Sequence, residues 1–309
     1  MFNFVSKRYW YFALSLLIIA PGIIGTIVWG FPLSIDFTGG SRMELQFSNA
    51  TAAQLQPADF KAIMAESGFG DSIVQTAADN VIIIRTKALD DATRNSIVAK
   101  FQEKYGEVVV RRFDNVGPTV GAEVTQKAGI AVGLASIGIL LYITYAFRGV
   151  PHAFRYGTTA IIAMLHDVLV MVGMASIFGK FLGWEVDALY LTAVLTVIGF
   201  SVHDTIVVFD RIRENQKVHR RANYEEVVNH SIVQTLDRSI NTQLTAVFTL
   251  LALALFGGVT IRHFIIIMLI GLISGTYSSI FNAAQLLVVW ENGEIGRLFG
   301  QGKKAEATP

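Results

Sequence analysis

The amino-acid sequence predicts an α-helical membrane protein with six transmembrane helices and one extracytoplasmic ferredoxin-like α+β domain, inserted between the first helix and the second. Three observations carry this. Of 309 residues, 52% are hydrophobic and only 16% charged, whereas soluble domains carry roughly a quarter charged residues; the mean hydropathy is +0.49. Apolar stretches of the roughly 20 residues that a bilayer crossing needs recur near 9–30, 128–147, 157–178, 188–209, 240–257 and 263–290. The interval 31–126 has no such stretch and alternates between strand-like and helix-like patterns.

Segment 1–30 begins like a signal peptide, because Lys7 and Arg8 precede an apolar run starting at Tyr9. The run is longer than the usual signal core of about 7–15 residues, and no small-residue cleavage site follows before Asp36, so a retained first helix is expected. With both termini inside, the cytoplasmic side holds Lys7, Arg8, Arg148, Arg155, Arg211, Arg213, Lys217, Arg220, Arg221, Arg297, Lys303 and Lys304. The short outer loops hold only Lys180 and Arg262. Basic residues concentrate on the cytoplasmic side of membrane proteins, so residues 31–126 are expected outside.

Within that interval, 42–47 alternates as a strand, with Met43, Leu45 and Phe47 on one face and Arg42, Glu44 and Gln46 on the other. Pro57 suits a first helical turn and Gly68 an end, giving a helix over 57–67. Strands at 72–76 and 81–86 flank a hairpin turn of Ala77, Ala78, Asp79 and Asn80. A second helix starts at Asp90 or Asp91 and runs to Tyr105, burying Ile97, Val98 and Phe101, with Gly106 beyond its end. A last strand over 107–113 completes the strand, helix, strand, strand, helix, strand order of a ferredoxin-like domain. The domain lacks His and shows no catalytic constellation.

The membrane part, 127–290, is expected as five helices with a cytoplasmic connector over 211–238, followed by a cytoplasmic tail over 291–309. In the connector, Asn223 and Glu226 form a capping pair, and Val228, Ile232 and Leu236 recur every four residues, as in a short amphipathic helix lying at the membrane interface. An Asp at the centre of a spanning helix costs about 2.5–3.5 kcal/mol, and this chain has Asp167 in the third span and Asp204 in the fourth. Helical spacing puts Ser201, Asp204, Thr205 and Val208 on one face. The fifth span opens with Arg238 and carries Asn241, Thr242, Thr245 and Thr249 in one polar stripe. The sixth has Gly271 and Gly275 at the spacing that permits close helix packing, then Ser278, Ser279, Asn282 and Gln285.

These faces suit either interhelical hydrogen bonding or a proton relay, in which Asp204 takes up and releases a proton while Arg238 pairs with it or lets go. Metal is not expected: adjacent His and Asp in His166-Asp167 and His203-Asp204 diverge around the helix, and no third ligand is evident. The absence of Cys excludes disulfides, thiolate nucleophiles and Cys-ligated metal. No nucleophile–base pair or phosphate loop points to an enzyme, and a net charge of +1 gives no sign of nucleic-acid binding.

Five motifs carry a family resemblance: Ile35-Asp36-Phe37-Thr38-Gly39-Gly40, Val116-Gly117-Pro118-Thr119-Val120-Gly121, His166-Asp167-Val168, the run from Asp204 to Asn215, and Arg238-Ser239-Ile240-Asn241-Thr242. With them the whole chain resembles the SecF branch of the bacterial SecD/SecF protein-export family, in the resistance-nodulation-division (RND) superfamily. The resemblance implies half of a twelve-helix unit completed by a SecD subunit, working beside the SecYEG channel with YajC and YidC as further neighbours, in the bacterial cytoplasmic membrane. It implies use of the proton-motive force to draw preproteins outward, with protons as coupling ion, no cofactor and no enzymatic activity. Asp204 and Arg238 would belong to the proton pathway, with Asp167, Ser201, Thr205, Asn241 and Thr242 around them. Asp36, Phe37, Thr38, Gly39 and Gly40 form either a tight turn or a hinge that transmits motion to the external domain. An RND-type small-molecule exporter and a non-catalytic scaffold of the translocon are the alternatives.

Overall fold

Each apolar run folds into a helix long and apolar enough to cross a bilayer in the computed structural model, which describes residues 2–48, 55–77 and 80–294. These helices are α1 (Arg8–Trp29), α5 (Pro118–Ala146), α6 (Ala153–Leu182), α7 (Ala188–Val218), α8 (Tyr224–Phe256) and α9 (Val259–Ser278), the last running on through a π-helical turn, Ser279–Ala283, into α10 (Ala284–Glu291). Between α1 and α5 come α2 (Ile35–Thr38), β1 (Gly40–Phe47), α3 (Pro57–Glu66), β2 (Ile73–Ala77), β3 (Val81–Thr86), α4 (Asp91–Tyr105) and β4 (Val108–Val116). The chain divides into two compact units, Met1–Pro32 with Ala131–Pro309, and Leu33–Ile130.

In the second unit the sheet order is β2-β3-β1-β4 with every pair antiparallel, the arrangement of a ferredoxin-like domain. Met43, Leu45 and Phe47 point into a core shared with Phe60, Ile82, Ile84, Ile97 and Phe101, while Arg42 and Glu44 on the opposite face pair at 2.7 Å. Asp90 caps α4 by accepting from the Thr93 amide at 2.8 Å, and Gly106 closes it at φ 83°. β4 runs three residues beyond the expected 113 because Gly40 pairs with Val116, a register that hydropathy alone does not reveal. Ala78 and Asp79 of the expected turn, and the tail from 295 onward with Arg297, Lys303 and Lys304, lie outside the described residues.

The six-helix unit departs from the sequence reading at the helix ends. The 31 residues of α7 span about 46 Å at 1.5 Å per residue, well beyond a hydrocarbon core of about 30 Å. Hydropathy registers only the apolar middle of such a helix. The expected connector over 211–238 is therefore mostly helix, and only residues 219–223 separate α7 from α8. The amphipathic segment is the first part of α8 and not a separate interfacial helix: Val228 and Ile232 are fully buried against protein. Its cap is as expected, with Asn223 accepting from the Glu226 amide at 2.8 Å. One crossing had no sequence signal: Gly22 of α1 meets Gly173 of α6, where a Cβ on either would come within 2.6 Å of the other's Cα.

Candidate functional site

Asp167 sits on α6 where α7 and α9 cross it, and is 1% exposed. Ser201 and Ser278 donate to its Oδ2 at 2.6 and 2.7 Å, and Ser274 donates to Oδ1 at 2.7 Å. His166 Nδ1 lies 3.0 Å from the same Oδ1. Each carboxylate oxygen thus has two partners, drawn from three helices. The glycine spacing in α9 makes the approach possible: a Cβ at Gly271 would fall 2.5 Å from Val197 Cγ2, and one at Gly275 3.1 Å from Ser201 Cβ. The π-helical turn follows directly, and Ser279 at its start donates to the Ser201 carbonyl at 3.0 Å and shares a 2.9 Å hydrogen bond with Thr205 Oγ1. Such turns insert a residue into a helix and re-aim the side chains beyond it.

Asp204, one turn further along α7, is 5% exposed. Ser239 of α8 donates to its Oδ1 at 2.6 Å, while Oδ2 is buried with no partner. The carboxyl borders a groove of about 390 Å³ between α7 and α8, which His203, Arg238, Thr242 and Gln243 also line. The Gln243 Oε1 is likewise buried without a partner. Arg238 shares the groove but is exposed and forms no ion pair with Asp204 within 4 Å.

The structure therefore sorts the expected residues into two groups. Asp167, Ser201, Thr205, Gly271 and Gly275 meet at the α6–α7–α9 crossing, whereas Asp204, Arg238 and Thr242 meet at the α7–α8 groove. Asn241, Thr245 and Thr249 are exposed in this chain, so the polar stripe of the fifth span does not face the chain's own interior as expected. Three participants were missed: Ser274, Ser239 and Gln243. Ser274 lies four residues before Ser278, so helical spacing alone could have found it. Ser239 lies within the Arg238–Thr242 motif, but it reaches Asp204 through contact between two helices, a pairing that helical spacing does not show.

In the second unit, Asp36, Phe37 and Thr38 form the single turn of α2, with Ser34 accepting from the Asp36 amide at 3.2 Å. Gly39 and Gly40 follow at φ 72° and 123°. A Cβ at Gly39 would lie 2.7 Å from Pro118 Cα, and one at Gly40 2.5 Å from the Thr86 carbonyl oxygen. Both the backbone angles and the space therefore require glycine. The start of α5 packs on the same turn, with Thr125 donating to the Phe37 carbonyl at 3.1 Å.

Fold and site together define a polytopic helical membrane protein with ionisable side chains buried among its spans and a small α+β domain after the first. Comparison with known proteins narrows the class. Residues 96–293 match the family described as protein export membrane protein SecD/SecF, C-terminal, and residues 30–51 match the SecD/SecF GG motif. Protein translocase subunit SecF of Anaerolinea thermophila is 52% identical over 306 residues, covering 98% of this chain and 99% of the relative. SecDF of Bacillus subtilis is 35% identical over 95% of this chain, which spans 38% of that longer protein. The crystal structure of SecDF, a translocon-associated membrane protein from Thermus thermophilus, superposes with a TM-score of 0.81 at 34% identity, over 94% of this chain and 39% of that one. The chain belongs to the SecD/SecF family of protein-export membrane proteins.

Proposed function

We propose that the chain is the SecF half of a SecD–SecF unit that uses the proton-motive force to assist Sec-dependent protein translocation across the bacterial cytoplasmic membrane. Both termini are cytoplasmic in this reading and residues 31–126 lie outside. The observation that carries it is the half-satisfied carboxyl of Asp204: one oxygen is fixed by Ser239 and the other is buried and bare, beside a groove that also holds Arg238. A carboxyl so placed can accept a proton at Oδ2 without breaking any existing bond. Arg238 is near enough to answer the change in charge, and each charge moved across the field is worth about 2.3 kcal/mol per 100 mV.

The same groove supports a second membrane half as partner. Lipid tails offer no hydrogen bonds to the exposed side chains of Asn241 and Thr242. A polar helix face from SecD would, and relatives in which SecD and SecF form one SecDF chain favour this pairing. Asp204→Asn tests the reading in membrane vesicles carrying the assembled complex. The amide keeps an oxygen for Ser239 but cannot bind a proton, so the gradient-dependent part of export is expected to vanish with normal insertion and amount of protein. Export as gradient-responsive as wild type would refute it.

A further inference from the structure

We propose that a second, basic pocket in the six-helix unit binds a phosphate-bearing anion. The pocket, about 560 Å³, lies where the α5–α6 turn meets the end of α7 and the start of α8, and is lined by Arg213, Lys217, His219 and Arg220 together with Pro151 and Tyr224. Spans alternate in direction, so both turns lie at one membrane surface, the same one as Arg8 at the start of α1.

Two of its cations, Lys217 and Arg220, are uncompensated. Among the described residues no Asp or Glu lines it; Asp210 pairs with the pocket's own Arg213 at 2.5 Å, and the other nearby acids are engaged elsewhere: Glu214 with Arg211 at 2.9 Å, Glu225 with Arg8 at 3.2 Å, and Glu226 with Asn223 at 3.0 Å. Lys217 and Arg220 form no ion pair within 4 Å among the described residues; the Arg220 Nε donates only to the Lys217 carbonyl, at 3.3 Å. A general excess of basic residues on one membrane side accounts for cations in these turns. It does not account for the convergence of Lys217 and Arg220, neither paired with an acid, on one concavity, where like charges repel. An anion relieves that repulsion, and a phosphate suits an Arg fork flanked by a Lys point charge. The phosphate can come from an anionic lipid headgroup, for which basic pockets beside spanning helices are typical sites, or from solution.

Native mass spectrometry of the full chain released from nanodiscs with or without phosphatidylglycerol tests the lipid source, and calorimetric titration with inorganic phosphate tests the soluble one. Lys217 and Arg220 are exposed, so Lys217→Gln with Arg220→Gln leaves the core intact. At about 1 kcal/mol per basic residue the pair should weaken phosphatidylglycerol binding about thirtyfold. The control Arg148→Gln with Arg221→Gln removes the same charge outside the pocket and should bind as wild type. Phosphate binding lost in the pocket variant, with no lipid retained by wild type, would support the pocket and assign it a soluble ligand. Equal binding of both probes by wild type and pocket variant, or an equal loss in the control, would overturn it.

Discussion

Asp167 and Asp204 are both buried aspartates in adjacent spanning helices, at 1% and 5% exposure, yet their surroundings differ in kind. Three serines and His166 surround Asp167 and use both its oxygens. Asp204 has one donor, one bare oxygen and a groove beside it. A hydrogen bond to a charged group contributes about 1.5–3 kcal/mol, so the contacts around Asp167 tie α6, α7 and α9 together at its carboxyl. Asp204 gives up little when its charge changes. In this account Asp167 shapes the pathway as a fixed anchor, and Asp204 is the group that exchanges protons.

Matched substitutions separate the two roles. Asp167→Asn turns one acceptor oxygen into a donor facing serine hydroxyls, so it should cost about 2 kcal/mol or more in stability, seen as a lowered melting temperature of the purified chain. Asp204→Asn retains the bond to Ser239 and should melt within about 0.5 kcal/mol of wild type, the range of substitutions that disturb no key contact. Equal destabilisation by both would erase the distinction. Removing single donors gives a smaller contrast: Ser239→Ala leaves the buried Asp204 carboxyl without a partner and should cost about 2 kcal/mol, whereas Ser274→Ala leaves Asp167 three partners and should cost about 1 kcal/mol by the same melting assay. Only the Ser239 variant should also alter gradient-dependent export, because it frees the exchanging carboxyl.

The contrast also marks what a sequence can reveal. The six spans were legible because a bilayer demands long apolar runs, and the α+β domain because alternation at 43–47 and caps at Asp90 and Gly106 act locally. Asp167 and Asp204 stood out as costly residues in apolar surroundings. Which of them is saturated depends on Ser201 and Ser278, 34 and 111 residues from Asp167, and on Ser239, 35 from Asp204. Such distances are fixed by helix packing, which one chain's periodicity does not encode. The helix ends escaped for a simpler reason: α7 and α8 continue as helices beyond their apolar stretches, through mixed polar sequence where hydropathy falls silent.

Infrared difference spectroscopy of the assembled SecD–SecF complex, following the protonated-carboxyl band as pH is stepped, addresses the central claim most directly. The account predicts a pH-responsive band that disappears in Asp204→Asn and persists in Asp167→Asn. A band that survives Asp204→Asn, or that is lost only in Asp167→Asn, would contradict it.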